Sequence, residues 1–208
     1  MGRIILISAF SGAGKDFFIK GILERFKSFY FSESYTTRKL LERDKDSSKK
    51  YKSISTQDFL EKIEQNFFLE TGQSHEYFYG TPRTALRQAS HEKKDLLLEL
   101  DVRKAVDLLE EKEFEYGFKA HAVFLWRRFN PLDDFKPGEL LSFTQENIRL
   151  REPGITDDEV NRRLGSTMKE YLEVKRNHKK FKFIENVEGN LSATLEEFSS
   201  FYSPTLWS

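Results

Sequence analysis

Apolar positions along the chain fall into two alternating patterns. Arg3 to Ala9 is an almost unbroken apolar run of strand length, and beyond Lys15 the residues Ile19, Ile22, Leu23 and Phe26 recur at helical spacing. Leu96 to Leu100 repeats the first pattern and is followed by a helix carrying Ala105, Leu108 and Leu109. Ala122 to Trp126 predicts a third strand, Val160, Leu164, Met168 and Leu172 a long helix, and Phe181 to Ile184 a last short strand. Strands that are apolar on both faces, with helices between them, predict an α/β fold in three layers. A parallel sheet is flanked by helices on both sides.

Two segments break this rhythm. Tyr35 to Thr81 has short strand-like pieces, Phe67 to Thr71 and Tyr77 to Thr81, around a small helix from Asp58 to Gln65. It predicts a separate flap. Arg127 to Arg163 is polar, irregular and rich in Arg, the composition of a lid over an anionic ligand. No repeat, low-complexity stretch or linker divides the 208 residues. The expected organisation is a single domain with its core at 1–34, 82–126 and 164–208, a flap at 35–81 and a lid at 127–163.

Composition narrows the partners. Lys plus Arg and Asp plus Glu both number 34, so no summed field attracts nucleic acid or acidic lipid, and any anion must be held locally. The absence of Cys removes disulfides, thiolate catalysis and Cys-ligated zinc. Ile4 to Phe10 is too short to span a bilayer and runs into a Gly-rich turn where a signal peptide needs a cleavage site. Leu6 stands where myristoylation asks for Ser or Thr. A cytoplasmic protein with no membrane or nucleic-acid partner, monomeric or homodimeric, is expected. The four His residues, including His75 and His91, have no metal-ligand spacing and read as surface.

The chemistry begins at Ser8-Ala9-Phe10-Ser11-Gly12-Ala13-Gly14-Lys15-Asp16, between the first strand and the first helix. Small residues there let backbone N–H groups curl around phosphate oxygens, the helix N-terminus adds partial positive charge, and Lys15 adds a full one. Ser11, Gly12, Ala13, Gly14, Lys15, Asp16 and Phe17 are the expected ATP contacts. Against G-x-x-x-x-G-K-[ST], Ala9 replaces the first Gly and Asp16 the hydroxyl that ligates Mg²⁺. A carboxylate at that point either serves as a hard oxygen ligand or repels the phosphates. Gly-Lys-Asp resembles variants in other small-molecule P-loop kinases, which favours Asp16 as the metal ligand.

The residues beyond the loop resemble the guanylate kinase family. Ser34-Tyr35-Thr36-Thr37-Arg38 is similar to the start of that family's GMP-binding flap. Phe68-Leu69-Glu70 followed by Tyr79-Gly80-Thr81 resembles its second GMP signature, and Leu98-Glu99-Leu100-Asp101-Val102 its acidic strand end. Arg163-Leu164 with Glu170, and then Asn186, continue the order. The resemblance implies phosphorylation of GMP or dGMP by Mg-ATP, with Asn186 at the ATP site. It implies Glu70 as the guanine clamp, with Ser34, Thr81 and Asp101 beside it, and Arg38, Arg43, Tyr51 and Tyr79 around the GMP phosphate. Lys15, Arg38, Arg151 and Arg163 would neutralise charge on the transferring group. Guanine presents two adjacent donors that one carboxylate can accept, and adenine does not.

Departures from the family are equally visible. Where it shows a Pro-Arg and a Gly-Glu pair, this chain has Lys39-Leu40-Leu41-Glu42-Arg43-Asp44, so one phosphate-binding Arg is missing from its place and Arg43 is the substitute at hand. Phe129 to Phe143 is longer than the family's lid, and Arg149 and Arg151 fall near the lid arginines. Two rival readings follow: another nucleoside monophosphate or small-molecule phosphate kinase, and a catalytically silent module that binds a protein.

Overall fold

A computed structural model of the chain describes residues 2–40, 51–74, 76–111, 113–133 and 136–202. Its centre is β1 (Arg3–Ala9), the middle strand of a five-stranded parallel sheet. β2 (Phe29–Phe31) and β7 (Asp95–Glu99) lie on one side of it, β8 (Lys119–Trp126) and β9 (Phe181–Glu185) on the other. Ile4 to Ile7 pair with Leu96 to Glu99, and Arg3 to Ala9 with Lys119 to Leu125.

Successive strand side chains point to opposite faces, so β1 feeds two cores. Ile4 and Leu6 join Leu96, Leu98 and Phe124 beneath α3 (Thr84–His91), α4 (Val102–Glu110) and α6 (Asp157–Arg176). Ile5 and Ile7 join Leu97, Val123 and Leu125 beneath α1 (Lys15–Arg25) and α7 (Leu191–Phe201). The predicted three-layer architecture is the observed one, with β1, β7, β8 and β9 within a few residues of their expected bounds.

The region expected to form a flap is a second, four-stranded sheet in the order β4 (Tyr51–Ser53), β3 (Ser34–Thr36), β6 (Tyr77–Pro82), β5 (Phe68–Ser74). α2 (Thr56–Glu64), capped by Ser55 through a 3.0 Å bond from the Asp58 N–H, supplies Phe59. That ring is fully buried and stacks on Phe68 and Phe78, with centroids 4.6 and 5.6 Å away, giving the small sheet an aromatic core of its own. Gly80 is required by this core: a Cβ there would lie 2.7 Å from the Phe68 ring.

Three expectations fail. Arg127 to Arg163 is not irregular, because it contains α5 (Pro137–Arg151) and the start of α6. Pro137 opens α5 at a position where the missing N–H costs nothing. Its buried stripe is only Leu140, Thr144 and Ile148, too narrow and too polar to show as an apolar period. On α6 the buried residues are Val160, Thr167, Tyr171 and Val174, whereas Leu164 and Met168 are half-buried and Leu172 is 47% exposed. The stripe is rotated because Thr167 goes inside, its hydroxyl donating to the Arg163 carbonyl at 3.1 Å. His121 is half-buried on β8 with its ring against Phe201, and burial, then the nearby Arg3 charge, lowers its pKa. His91 and His178 are exposed, and His75 lies outside the described residues.

At the end of the sheet away from the phosphate loop, Asp95 gathers the two chain ends. Its Oδ1 accepts from the Arg3 N–H at 2.8 Å, and its Oδ2 accepts from Arg3 Nη2 at 3.0 Å and from the Tyr202 hydroxyl at 2.7 Å. The Arg3 guanidinium also lies 4.2 Å from the Tyr202 ring centre. Burial and the Asp95 carboxylate push the Tyr202 hydroxyl up to about 12. Tyr202→Phe should therefore cost about 1.5–3 kcal/mol, the range for a hydrogen bond to a charged group. Asp95→Ala, which strands a partly buried Arg, should cost more, about 3–5 kcal/mol. Urea unfolding midpoints check both, and equal midpoints for wild type and Tyr202→Phe would remove the bond from the account.

Candidate active site

The phosphate loop forms because β1 is buried to its last residue and the chain must turn at once into α1. Gly12 and Gly14 take φ of 91° and 81°, a region that side chains disfavour. Asn186, just past β9, fixes the turn from outside: its Nδ2 donates to the Ala13 carbonyl at 2.6 Å, and its own N–H donates to the Trp126 carbonyl at 2.7 Å. A Cβ on Gly14 would fall 2.4 Å from that Nδ2. Phe10 anchors the loop from below, edge-on to Phe124 at 4.9 Å. The first N–H groups of α1 are left pointing outward, without intrahelical acceptors.

This loop lines a cleft of about 990 Å³, which every predicted ATP residue from Ser11 to Phe17 faces. Asp16 and Phe17 are exposed there. Asn186 does not line the cleft but holds the loop in shape. Lys15 Nζ stands 3.2 Å from Glu99 Oε1 at the end of β7.

A second cleft, of about 300 Å³, lies between the small sheet and the ends of β7 and α4. Ser34, Arg38, Tyr51, Glu70, Tyr79 and Asp101 line it, together with Lys104. Glu70 on β5 accepts from the Thr81 hydroxyl at 2.7 Å and the Thr81 N–H at 3.1 Å, both on Oε1. Burial pushes its carboxyl up to about 7, against the pull of Thr81 and of Lys104. Asp101 caps α4, accepting from the Lys104 N–H at 2.9 Å. The Tyr51 and Tyr79 rings meet edge to face at 6.1 Å, with the Arg38 guanidinium 5.8 Å from the Tyr51 ring centre.

Lys15, Arg38, Tyr79, Glu99 and Glu170 line both clefts, which therefore adjoin one another. Glu170 on α6 has its carboxyl pushed up to about 7, chiefly by burial, with Lys15 opposing and Asp101 reinforcing the shift. On the lid side, Arg163 faces the larger cleft in a carboxylate pincer. Nη1 and Nη2 reach Glu152 at 2.9 and 3.0 Å, and Nε reaches Glu159 at 3.0 Å. Although burial disfavours its charge, these bonds raise its pKa. Arg149 pairs with Asp157. Arg43 and the Arg151 side chain lie outside the described residues.

Similarity to known proteins extends over the whole of this framework. The guanylate kinase family profile matches residues 1–126. The chain belongs to the guanylate kinase family. The guanylate kinase of Nitratidesulfovibrio vulgaris is 32% identical over 176 residues, 84% of this chain and 76% of that protein. The guanylate kinase of Helicobacter hepaticus is 36% identical over 124 residues, and the match spans 60% of the length of each. The crystal structure of guanylate kinase from Anaplasma phagocytophilum shares the fold with a TM-score of 0.63 and 18% identity, covering 96% of this chain and 84% of that one.

Within this guanylate kinase fold, some site residues were beyond sequence reasoning. Lys104, Glu152 and Glu159 carry no motif that marks them in the sequence, and Glu170 stands there only as part of the family order. The Glu159–Arg163 pair has helical i,i+4 spacing and was legible once α6 was placed. Glu152 and Lys104 reach the site only through tertiary packing. Among the described residues no helix is long and apolar enough to cross a membrane.

Glu70 and Glu170 bind a proton more tightly in the folded chain than in the unfolded one, where a Glu titrates near 4.5. Stability therefore falls as pH rises between that value and about 7, by up to about 1.4 kcal/mol per pH unit for each carboxyl. The ligand-free Tm should drop between pH 5 and pH 8, and the double variant Glu70→Gln, Glu170→Gln should flatten the drop. Parallel Tm–pH curves for the two proteins would show that these carboxyls are not the source.

Proposed function

We propose that the chain is an ATP-dependent guanylate kinase that converts GMP or dGMP to the diphosphate, a cytoplasmic enzyme with the small sheet as acceptor flap and 127–163 as lid. The observation that carries this is Glu70, a carboxyl with its pKa raised by burial, in a cleft that Lys15 of the phosphate loop also lines. Thr81 occupies only Oε1, and among the described residues nothing bonds Oε2. Guanine's N1–H and exocyclic amino group match an ionised carboxylate, whereas AMP would leave a buried acceptor unmet. Ser34, Thr81 and Asp101 complete the base end. Arg38, Tyr51 and Tyr79 hold the acceptor phosphate, and Arg43 supplies the remaining cation.

With both nucleotides bound, an oxygen of the GMP phosphate attacks the γ-phosphorus of ATP. The bond to the β–γ bridging oxygen breaks, and ADP leaves with that oxygen. The acceptor is already an anion, so the protein's work is positioning and neutralisation. Lys15 moves its charge from Glu99 to the phosphates. Arg163 reaches them by exchanging the Glu152 carboxylate for phosphate oxygens, acceptors of similar bidentate geometry. Arg151 belongs to the same lid.

No cluster of three His, Cys, Asp or Glu able to hold a metal occurs among the described residues. A nucleotide-borne Mg²⁺ needs only one or two protein carboxylates beside phosphates and water, and Asp16, on the first turn of α1 and facing the cleft, fits that need. When bound, the ion neutralises charge on the β- and γ-phosphates.

In a coupled ADP-release assay across the nucleoside monophosphates, GMP or dGMP should be the best acceptor. Glu70→Ala should raise the GMP KM roughly ten- to a hundredfold and relax discrimination. A wild type that prefers AMP or CMP would overturn this assignment of the cleft.

Asp16 supplies a separate test. ATP affinity should depend steeply on Mg²⁺, Asp16→Ser should preserve activity, and Asp16→Lys should abolish it. If the wild type fails to bind ATP at millimolar Mg²⁺ while Asp16→Ser binds it, the carboxylate disables the loop and the chain is a silent relative.

A further inference from the structure

Of the five residues that wall both clefts, four have evident work. Lys15 and Arg38 are cations for the phosphates, Tyr79 stands by the acceptor, and Glu99 holds Lys15 in the ligand-free chain. The fifth, Glu170, hydrogen-bonds to no described residue. Resting on the phosphoryl-transfer reading above, we propose that Glu170 is a further catalytic residue, presenting a protonated carboxyl to the phosphate oxygens where the clefts meet.

Position comes first. A group that passes from the donor cleft to the acceptor cleft passes the residues common to both walls, and Glu170 is held there by the middle of a 20-residue helix. Its neighbours Thr167, Tyr171 and Val174 are buried, so the backbone cannot withdraw it.

Charge decides the form it takes. Facing it are Lys15 from α1, Glu99 from β7, Asp101 at the head of α4 and Arg38 from the flap, with Arg163 and its two carboxylates on the lid side. Lys15 is the cation that opposes its protonation, and Glu99 already claims that cation at 3.2 Å. When GMP and Mg-ATP arrive, Lys15 turns to the phosphates and the charge the two nucleotides and their metal bring in is still net negative. An ionised Glu170 would repel the transferring group. A neutral one offers an O–H donor whose bond strengthens as negative charge spreads over the equatorial oxygens. Glu70, bonded by Thr81 and offered two guanine donors, is driven the opposite way, toward ionisation.

Glu170→Gln, which keeps a neutral donor, should hold kcat within about threefold at pH 7 and lack the alkaline fall in kcat that the wild type should show. Glu170→Ala should lower kcat about a hundredfold, with KM for both nucleotides within about twofold. Difference infrared spectra at pH 7 should show a protonated-carboxyl C=O band that Glu170→Gln removes. That band should persist with GMP, Mg²⁺ and a non-hydrolysable ATP analogue, while the one removed by Glu70→Gln disappears. A Gln variant as slow as Ala overturns the proposal, since a carboxylate rather than a donor is then required. So does an Ala variant with wild-type kcat, or the absence of a Glu170 band in an active enzyme. A band that is present in a wild type that phosphorylates no nucleoside monophosphate overturns the kinase reading instead.

Discussion

Burial of β1 on both faces and both edges is the constraint on which the rest depends. Ile4, Ile5, Leu6 and Ile7 are at most 1% exposed, and each edge is bonded to a parallel strand. A strand so enclosed can release its chain only at its carboxyl end, where neighbouring parallel strands also end. The turn there must be tight, which selects Gly and Ala, and it must open a helix because a parallel sheet needs a crossover. The first N–H groups of α1, Lys15 and the acidic end of β7 are brought together by that one requirement, in the crevice where open α/β sheets hold their ligands.

What was legible in the sequence was what is locally encoded. The apolar strands and the loop from Ser8 to Asp16 carry their own periods and spacing, so both could be placed with little help. α5 could not, because its interior side is three residues deep and one of them is Thr144. The rotation of α6 was hidden for a related reason, since a Thr that bonds its own helix can be buried while a Leu five residues on is left outside. His121 looked like surface until the helix carrying Phe201 was laid over it. Glu70 as a clamp was suggested by resemblance. Its enclosure, and the attachment of Thr81 to a single oxygen, are facts of the folded chain.

A chain with no net charge gathers carboxylates in the cleft beside its glycine-rich loop. Glu70, Glu99, Asp101 and Glu170 all line the smaller cleft, against Lys15, Arg38 and Lys104. Such a site is tolerable because its acids are not equivalent. One pairs with Lys15, one caps a helix, and two are enclosed enough that burial raises their pKa to about 7. Cationic groups alone would bind phosphates tightly in every state and would not tell one base from another.

The stacked rings of Phe59, Phe68 and Phe78 give the small sheet a hydrophobic centre that shares no residue with the two cores of the main sheet. Substitutions among the cleft-lining positions on that sheet therefore draw on a separate reserve of stability. A change in what the small sheet contacts can thus be absorbed by its own three rings, leaving the packing around β1 as it was.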